Sequence, residues 1–291
     1  MTEINAETRL CGLIGNPVRH SVSPLIHNQL SRMLGINMAY VTFPVEERHV
    51  EAAVKGAFAL DILGLNVTVP HKQNVIPYLE EVDSIAKAVG AVNTLVRTEN
   101  GYKGYNTDIT GFHRSLMEEN IAIDGENIIL LGAGGASRAI AFLLGREGAA
   151  KVYLLNRSVG KAEDIAGAVN GYFGRDVIIP MELSEYRSLP NERYFCIQTT
   201  SVGLHPHDND VVIDDVSFYA KIHTGVDIIY NPYETRFMKE VKRAGGRAVN
   251  GMKMLLWQGV AAYELWNGVS VSTEQADSVF ELMKRKLGQN D

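Results

Sequence analysis

The stretch Ile128-Ile129-Leu130-Leu131-Gly132-Ala133-Gly134-Gly135-Ala136-Ser137 limits what this chain can fold into more than any other segment. Its branched and leucine residues read as a buried strand. The strand runs into a glycine cluster, and a helical pattern opens directly behind it. Glycines at such a turn let a pyrophosphate approach the backbone, and the free amides at the helix start favour its negative charge. A second strand pattern at residues 151–155 completes a strand–helix–strand unit, the context that a dinucleotide fingerprint requires. Gly132, Ala133, Gly134, Gly135 and Ala136 are therefore the candidate pyrophosphate cradle. Ser137 stands where the third glycine of G-x-G-x-x-G would fall, and it is small enough to fill that packing place.

The end of the second strand bears on cofactor choice. An NAD enzyme usually places an acid there, about 20 residues beyond the glycines, and an NADP enzyme a basic group for the 2′-phosphate. This chain has Asn156, Arg157 and Ser158, then Lys161, with no acid before Glu163. NADP is the expected cofactor.

Short apolar runs alternate with helical patterns along the 291 residues, so the expected class is α/β with mostly parallel sheets. Strands are expected at residues 10–14, 39–45, 62–67, 92–97, 128–132, 151–155, 176–179, 194–199, 225–229 and 247–249. Ser23 reads as a helix N-cap followed by Pro24 at the first helical position. Ser272 and Gln275 form a capping-box pattern at the last helix. The stretch 104–111 is turn-rich and precedes a helix at 112–120, so the chain is expected to divide near it. No strand follows the helical region that begins at Met252.

Thirty-four acids against 28 bases give a net charge of −6, which does not suit a nucleic-acid partner. No apolar run approaches the roughly 20 residues of a membrane span, and the first residues lack the apolar core of a secretory leader. Cys11 and Cys196 lie in apolar, strand-like runs and read as free core thiols. A cytoplasmic protein without membrane partners is expected. The polar loop His205-Pro206-His207-Asp208-Asn209-Asp210 lacks a helical ligand spacing, and no metal is expected there. Trp257 and Trp266 read as core residues.

Four more motifs are hard to explain as packing. Ser21 and Ser23 place two hydroxyls before a helix N-terminus, where a carboxylate would be welcome. Asn66-Val67-Thr68-Val69-Pro70-His71-Lys72 ends a strand with an amide, a hydroxyl and an amine. Asn93 is a lone amide in an apolar strand. Gly104-Tyr105-Asn106-Thr107-Asp108 sets a carboxylate in the expected interdomain loop.

Together these segments resemble the shikimate dehydrogenase family, in order and without large insertions, from Gly12 to about Gly268. The resemblance rests on GLIGNPVRHSVSPLIHN, NVTVPHK, GAVNT, GYNTD, GAGGASRA, NRS, TTSVGL, DIIYNPYET and NGMKMLLWQG. It implies a substrate domain at residues 1–107 plus 250–291, with C-terminal helices returning to it, and a Rossmann-type NADP domain at 108–249. The family's active site lies in a cleft between the two. The implied reaction is the reversible NADP-dependent reduction of 3-dehydroshikimate to shikimate. By the same resemblance, Lys72 and Asp108 flank the reacting oxygen, and Ser21 and Ser23 hold the substrate carboxylate. Thr68, Asn93 and Gln258 bond ring hydroxyls, with Tyr230 near the carboxylate end. Residues 132–136, Asn156, Arg157, Ser158, Lys161, Thr200, Ser201, Ile228 and Gly251 contact NADP. Two departures stand out: Gln198-Thr199-Thr200-Ser201 replaces the commoner Asn-Ala-Thr-Ser, and Leu204 stands where methionine is frequent. A quinate/shikimate dehydrogenase able to use NAD, an amino-shikimate or other cyclohexanoid dehydrogenase, and a non-catalytic NADP-binding regulator remain open readings, as does a homodimer.

Overall fold

The structure, a computed structural model, describes residues 4–288. It divides into two compact units, one formed by residues up to Gly111 and from Leu255 onward, the other by Phe112–Met254.

The first unit is built on β1 (Arg9–Gly15), α1 (Ser23–Leu34), β2 (Met38–Pro44), α2 (Val50–Ala59), β3 (Gly64–Val67), β4 (Glu81–Val82), α3 (Ser84–Val89), β5 (Thr94–Arg97), β6 (Tyr102–Tyr105) and the start of α4 (Thr107–Glu118). Its sheet runs β2-β1-β3-β5-β6-β4. β1 pairs in parallel with β2 and β3, whereas β5 runs antiparallel to both β3 and β6. β1 and β3 are apolar along most of their length and buried, as a sheet covered on both faces requires.

The second unit holds the rest of α4, then β7 (Asn127–Leu131), α5 (Gly135–Arg146), β8 (Lys151–Asn156), α6 (Val159–Phe173), β9 (Ile178–Glu182), β10 (Tyr194–Gln198), α7 (Val216–Tyr219), β11 (Ile222–Asp227), α8 (Arg236–Arg243) and β12 (Arg247–Val249). All six strands are parallel, in the order β12-β11-β10-β7-β8-β9. The chain starts at β7, moves outward through β8 and β9, then returns to β10 on the other side of β7. The strand order thus reverses beside β7, the place where doubly wound sheets open a ligand crevice.

Two helices follow. α9 (Met252–Asn267) begins in the second unit and ends in the first, and α10 (Thr273–Lys286) packs on α1. The Ser272–Gln275 capping box is present: each side chain accepts from the other residue's backbone N–H. Ala276, Val279 and Met283 are the buried face behind it. α9 is anchored by Trp266, whose indole N–H donates to the Leu95 carbonyl at 2.8 Å.

All ten expected strands have counterparts, and the α/β class with two sheets holds. Three local readings are corrected. Ser23 is the first residue of α1 and not its cap; Val22 holds that place, and the Ser21 hydroxyl accepts from the Ser23 N–H at 3.1 Å. The turn-rich stretch 104–111 is not a loop. It is the end of β6 followed at once by α4, so Asp108 lies in a helical first turn, where a carboxylate is favoured by the helix dipole. The strands β4 and β6 were not anticipated; both are short, and β6 carries a lysine and a glycine that mask its alternation.

Gly64 leaves the space that Trp266 fills, since a Cβ there would lie 2.1 Å from the indole nitrogen. Gly64→Ala should therefore lower stability by about 1–3 kcal/mol, the usual cost of overpacking, seen as a lower urea midpoint at unchanged m-value. An unshifted midpoint would show that Trp266 is not held as tightly as its contacts imply.

Candidate active site

In the first unit, the topology gathers the polar motifs at one edge of the sheet. Ser21 and Ser23 follow β1, and Thr68 and Lys72 follow β3. Asn93 precedes β5, which runs the opposite way, and Asp108 follows β6. The carboxyl ends of parallel strands and the amino end of an antiparallel one coincide, so these segments converge although they are far apart in sequence.

Three side chains there bond directly. Lys72 Nζ donates to Asp108 Oδ2 at 2.7 Å. Asn93 Nδ2 donates to Asp108 Oδ1 at 2.8 Å. The Thr107 backbone N–H donates to Asn93 Oδ1 at 2.7 Å, and this fixes which way the Asn93 amide faces. Asp108 is nearly buried, whereas the Lys72 side chain stays 27% exposed. The pair thus joins a partly exposed lysine to a carboxylate that sets the position of its amine.

His71 supports this from the neighbouring position. It is fully buried, and its Nε2 lies 2.7 Å from the Val45 carbonyl, so the ring carries its proton there. The backbone turn 68–71 is closed by the His71 N–H donating to the Thr68 carbonyl. Thr68 is half-buried. Gln258 sits on α9, where its Nε2 donates to the Leu255 carbonyl at 2.9 Å. Gly111 makes that packing feasible: a Cβ there would lie 2.5 Å from the Gln258 backbone nitrogen. Tyr230 belongs to the second unit, in the segment after β11, and burial raises its hydroxyl pKa.

The second unit carries the residues expected at a nucleotide. Gly132 has φ +102°, and a Cβ there would meet the side chains of Thr199 and Thr200 within 3 Å. Gly134 and Gly135 are exposed and face open space. α5 begins at Gly135 with neither a side-chain cap nor an acid in its first turn, so its terminal amides are free for an anion. Ser137, in the third-glycine place, is fully buried, and its hydroxyl donates back to the Gly132 carbonyl. Arg157, Ser158 and Lys161 are exposed beyond β8, and Asn156 Nδ2 closes their turn by donating to the Ser158 carbonyl at 2.9 Å. Arg157 also borders a groove of about 420 Å³ lined by Glu182, Tyr186, Val212 and Ile213. These features suit NADP: an amide-lined cradle that could hold a pyrophosphate and exposed basic groups that could hold a 2′-phosphate. Gly251 backs against Ile228, for a Cβ would fall 1.9 Å from the Ile228 carbonyl oxygen.

One network escaped the sequence reading. Gln198 ends β10 directly beside Asp227, which ends β11. Gln198 Nε2 donates to the Thr200 and Val202 carbonyls, and its Oε1 accepts from the Thr200 N–H. It also reaches Asp227 Oδ1 at 3.3 Å. Asp227 accepts further from the Ile229 N–H and from the Thr235 hydroxyl. One buried amide and one buried carboxyl therefore shape both the turn of Thr200 and Ser201 and the turn of Ile228 and Tyr230. The departure from asparagine at 198 was visible in sequence; its partner was not, because β10 and β11 are joined only in space.

Residues 13–95 match the family description "Shikimate dehydrogenase substrate binding domain", and residues 251–276 match "Shikimate 5'-dehydrogenase C-terminal domain". The chain is 40% identical over 290 residues to a shikimate dehydrogenase (NADP(+)) of Carboxydothermus hydrogenoformans, covering 98% of each. The chain belongs to the shikimate dehydrogenase family. Among solved family structures, shikimate 5-dehydrogenase of Listeria monocytogenes, in complex with shikimate and NAD, superposes with a TM-score of 0.90 at 30% identity, over 97% of this chain and 99% of that one. Shikimate 5-dehydrogenase of Thermus thermophilus, in complex with NADP(H) and shikimate, gives 0.82 at 29% identity, over 94% and 99%.

Burial pushes the Asp227 carboxyl up to about 7, against the opposing effect of its three hydrogen-bond donors. The folded form then holds this proton more tightly than the unfolded chain does. Stability from this group is present below about pH 4 and is lost as pH rises through about 7. Asp227→Asn, which cannot ionise, should flatten that decline when urea midpoints are compared across the range. Parallel curves for the two proteins would dismiss Asp227 as its source.

Proposed function

We propose that the protein catalyses the reversible reduction of 3-dehydroshikimate to shikimate with NADP, the first unit binding the substrate and the second the dinucleotide. The observation that carries this reading is the Lys72–Asp108–Asn93 cluster: the amine of a partly exposed lysine held at 2.7 Å by a carboxylate that an oriented amide holds in turn. A regulator without catalysis would have no need of this pair. When bound, reduced NADP supplies the hydride that reaches the ring carbon. The chain's own part is to place the ring and to manage a proton. In reduction, the Lys72 ammonium donates to the ring oxygen as negative charge gathers on it, and in oxidation the neutral amine takes that proton back. Asp108 accepts from the amine and keeps it aimed.

Ser21 and Ser23 grip the carboxylate beside the start of α1, while Thr68, Asn93 and Gln258 bond ring hydroxyls and Tyr230 lies toward the carboxylate end. Gly132–Ala136, Thr200, Ser201, Ile228 and Gly251 hold the dinucleotide, with Asn156, Arg157, Ser158 and Lys161 around the 2′-phosphate. NADP is preferred to NAD because the end of β8 offers basic groups and no acid. Shikimate is preferred to quinate because the Ser-x-Ser pair is unaltered. A cytoplasmic setting goes with two free, buried cysteines. Among the described residues, no helix is long and apolar enough to cross a membrane.

Initial rates with shikimate and quinate, each with NADP and with NAD, test the reading; shikimate with NADP should give the highest kcat/KM, and no turnover of shikimate would end the proposal. Lys72→Ala should lower kcat roughly 10²- to 10⁴-fold with little change in shikimate KM, as loss of a proton-transfer group does. Retained turnover would remove Lys72 from the chemistry. Arg157→Ala should raise KM for NADP roughly ten- to hundredfold and leave KM for NAD nearly unchanged, because only NADP loses a charge-assisted bond. Equal effects on both cofactors would place the 2′-phosphate elsewhere.

A further inference from the structure

A line of buried hydrogen bonds runs from the interior of the first unit to Asp108, and whichever of Thr94 and Thr107 donates to the other, it leads to Asn93 Oδ1. The Tyr40 hydroxyl donates to Asn66 Oδ1 at 2.8 Å. The Asn66 amide is oriented without ambiguity, because its Nδ2 also faces the Asn93 backbone carbonyl at 3.3 Å. That Nδ2 donates to Thr94 Oγ1 at 3.1 Å. The single Thr94 proton goes to Asn93 Oδ1 at 3.1 Å or to Thr107 Oγ1 at 3.0 Å, and in the first case its second lone pair can accept from Thr107. The Thr107 hydroxyl, 3.1 Å from Asn93 Oδ1, can pass the bond on to the same oxygen. Asn93 Nδ2 then donates to Asp108 Oδ1, whose other oxygen accepts from Lys72.

We propose that Thr94 is a positioning residue for the reaction: its hydroxyl locks the Asn93 carboxamide and through it sets Asp108 and Lys72. Thr94 is fully buried, so it does not meet solvent or a ligand arriving from solvent. Its place is set by the sheet, since it pairs with Asn66 on β3 and with Tyr105 on β6. Asn93 Oδ1 is surrounded by the Thr94 hydroxyl, the Thr107 hydroxyl and the Thr107 N–H. Removing one donor loosens the amide, whose other end must aim at both Asp108 and the substrate. In a connected chain of hydrogen bonds, each bond polarises the next, so the effect of a missing link reaches the carboxylate.

The kinetic consequence rests on the dehydrogenase reading; the amide consequence does not. Thr94→Val keeps the branched shape and removes the hydroxyl, and Thr94→Ser keeps the hydroxyl. Thr94→Val should lower kcat for shikimate roughly five- to twentyfold with KM for NADP unchanged, while Thr94→Ser stays within about threefold of the parent. In protein labelled with ¹⁵N-asparagine, the Asn93 side-chain amide should exchange slowly with solvent in the parent and in Thr94→Ser, and faster in Thr94→Val. Parent-like kcat in Thr94→Val would overturn the assignment. So would equal losses in the two variants, which would point to packing, or a loss of kcat with an unmoved Asn93 amide. If Thr94→Val does not fold, Tyr40→Phe removes only the far donor, and it must still speed Asn93 amide exchange for the assignment to stand. If the parent turns over no shikimate, the functional reading fails alone, and the amide measurement still decides the role of Thr94.

Discussion

Asp108 is the group on which the rest of the first unit depends. A carboxylate this far from water is tolerable only if its oxygens are answered, and here one is answered by an amide and the other by an ammonium. Each answer demands a further support. The amide belongs to Asn93, whose own oxygen is held by the first turn of α4. The ammonium belongs to Lys72, whose backbone turn is braced by His71 against Val45. Three chain segments with no sequence proximity are thereby tied to one carboxyl group. The mixed sheet makes this feasible: reversing β5 between β3 and β6 brings the Asn93 end of one strand to the edge where its two neighbours finish.

The second unit solves a different problem with backbone alone. A pyrophosphate needs close approach and partial positive charge, and Gly132 with the uncapped start of α5 supplies both without a cationic side chain. The close fit is one-sided. Gly132 is hemmed in by Thr199 and Thr200, whereas Gly134 and Gly135 look into open space. A larger residue at the first position would collide with the protein itself. At the other two it would enter open space, the region proposed for the pyrophosphate. The same three glycines therefore serve two physical ends.

Much of this was legible from residue order. Periodicity and glycine placement located all strands of the described residues except β4 and β6, and the motif set pointed to the family and its candidate residues. What could not be read were relations made only by the fold. Asp108 looked like a loop residue because Gly104, Asn106 and Gly111 are turn formers, but β6 uses Gly104 to pass Leu79 and Val92, and α4 uses Gly111 to admit α9. In both places glycine marks close packing and not a turn. Ser23 carried the chemistry of a cap, yet Ser21 takes part in closing that turn, one position being decided by backbone geometry that composition does not encode. Thr94 is, in the sequence, one β-branched residue of a strand pattern. Its function-bearing surroundings come from Asn66, Asn93 and Thr107, which meet only when the sheet has formed.

These relations explain why polar residues are buried in and beside β3 and β5. A buried asparagine or threonine costs stability unless each of its bonds is made, and an apolar residue would serve the core at less risk. Asn66, Asn93, Thr94 and Thr107 are all buried, and Asn66, Asn93 and Thr94 each have partners on both the donor and the acceptor side. A set of groups satisfied so completely has few alternative arrangements, because turning one amide would set donor against donor at the next. The line thus converts the rigidity of the sheet into a fixed orientation at its edge. Partial exposure of the Lys72 side chain then costs little precision, because the carboxylate that holds its amine is itself held by bonds that reach back to Tyr40.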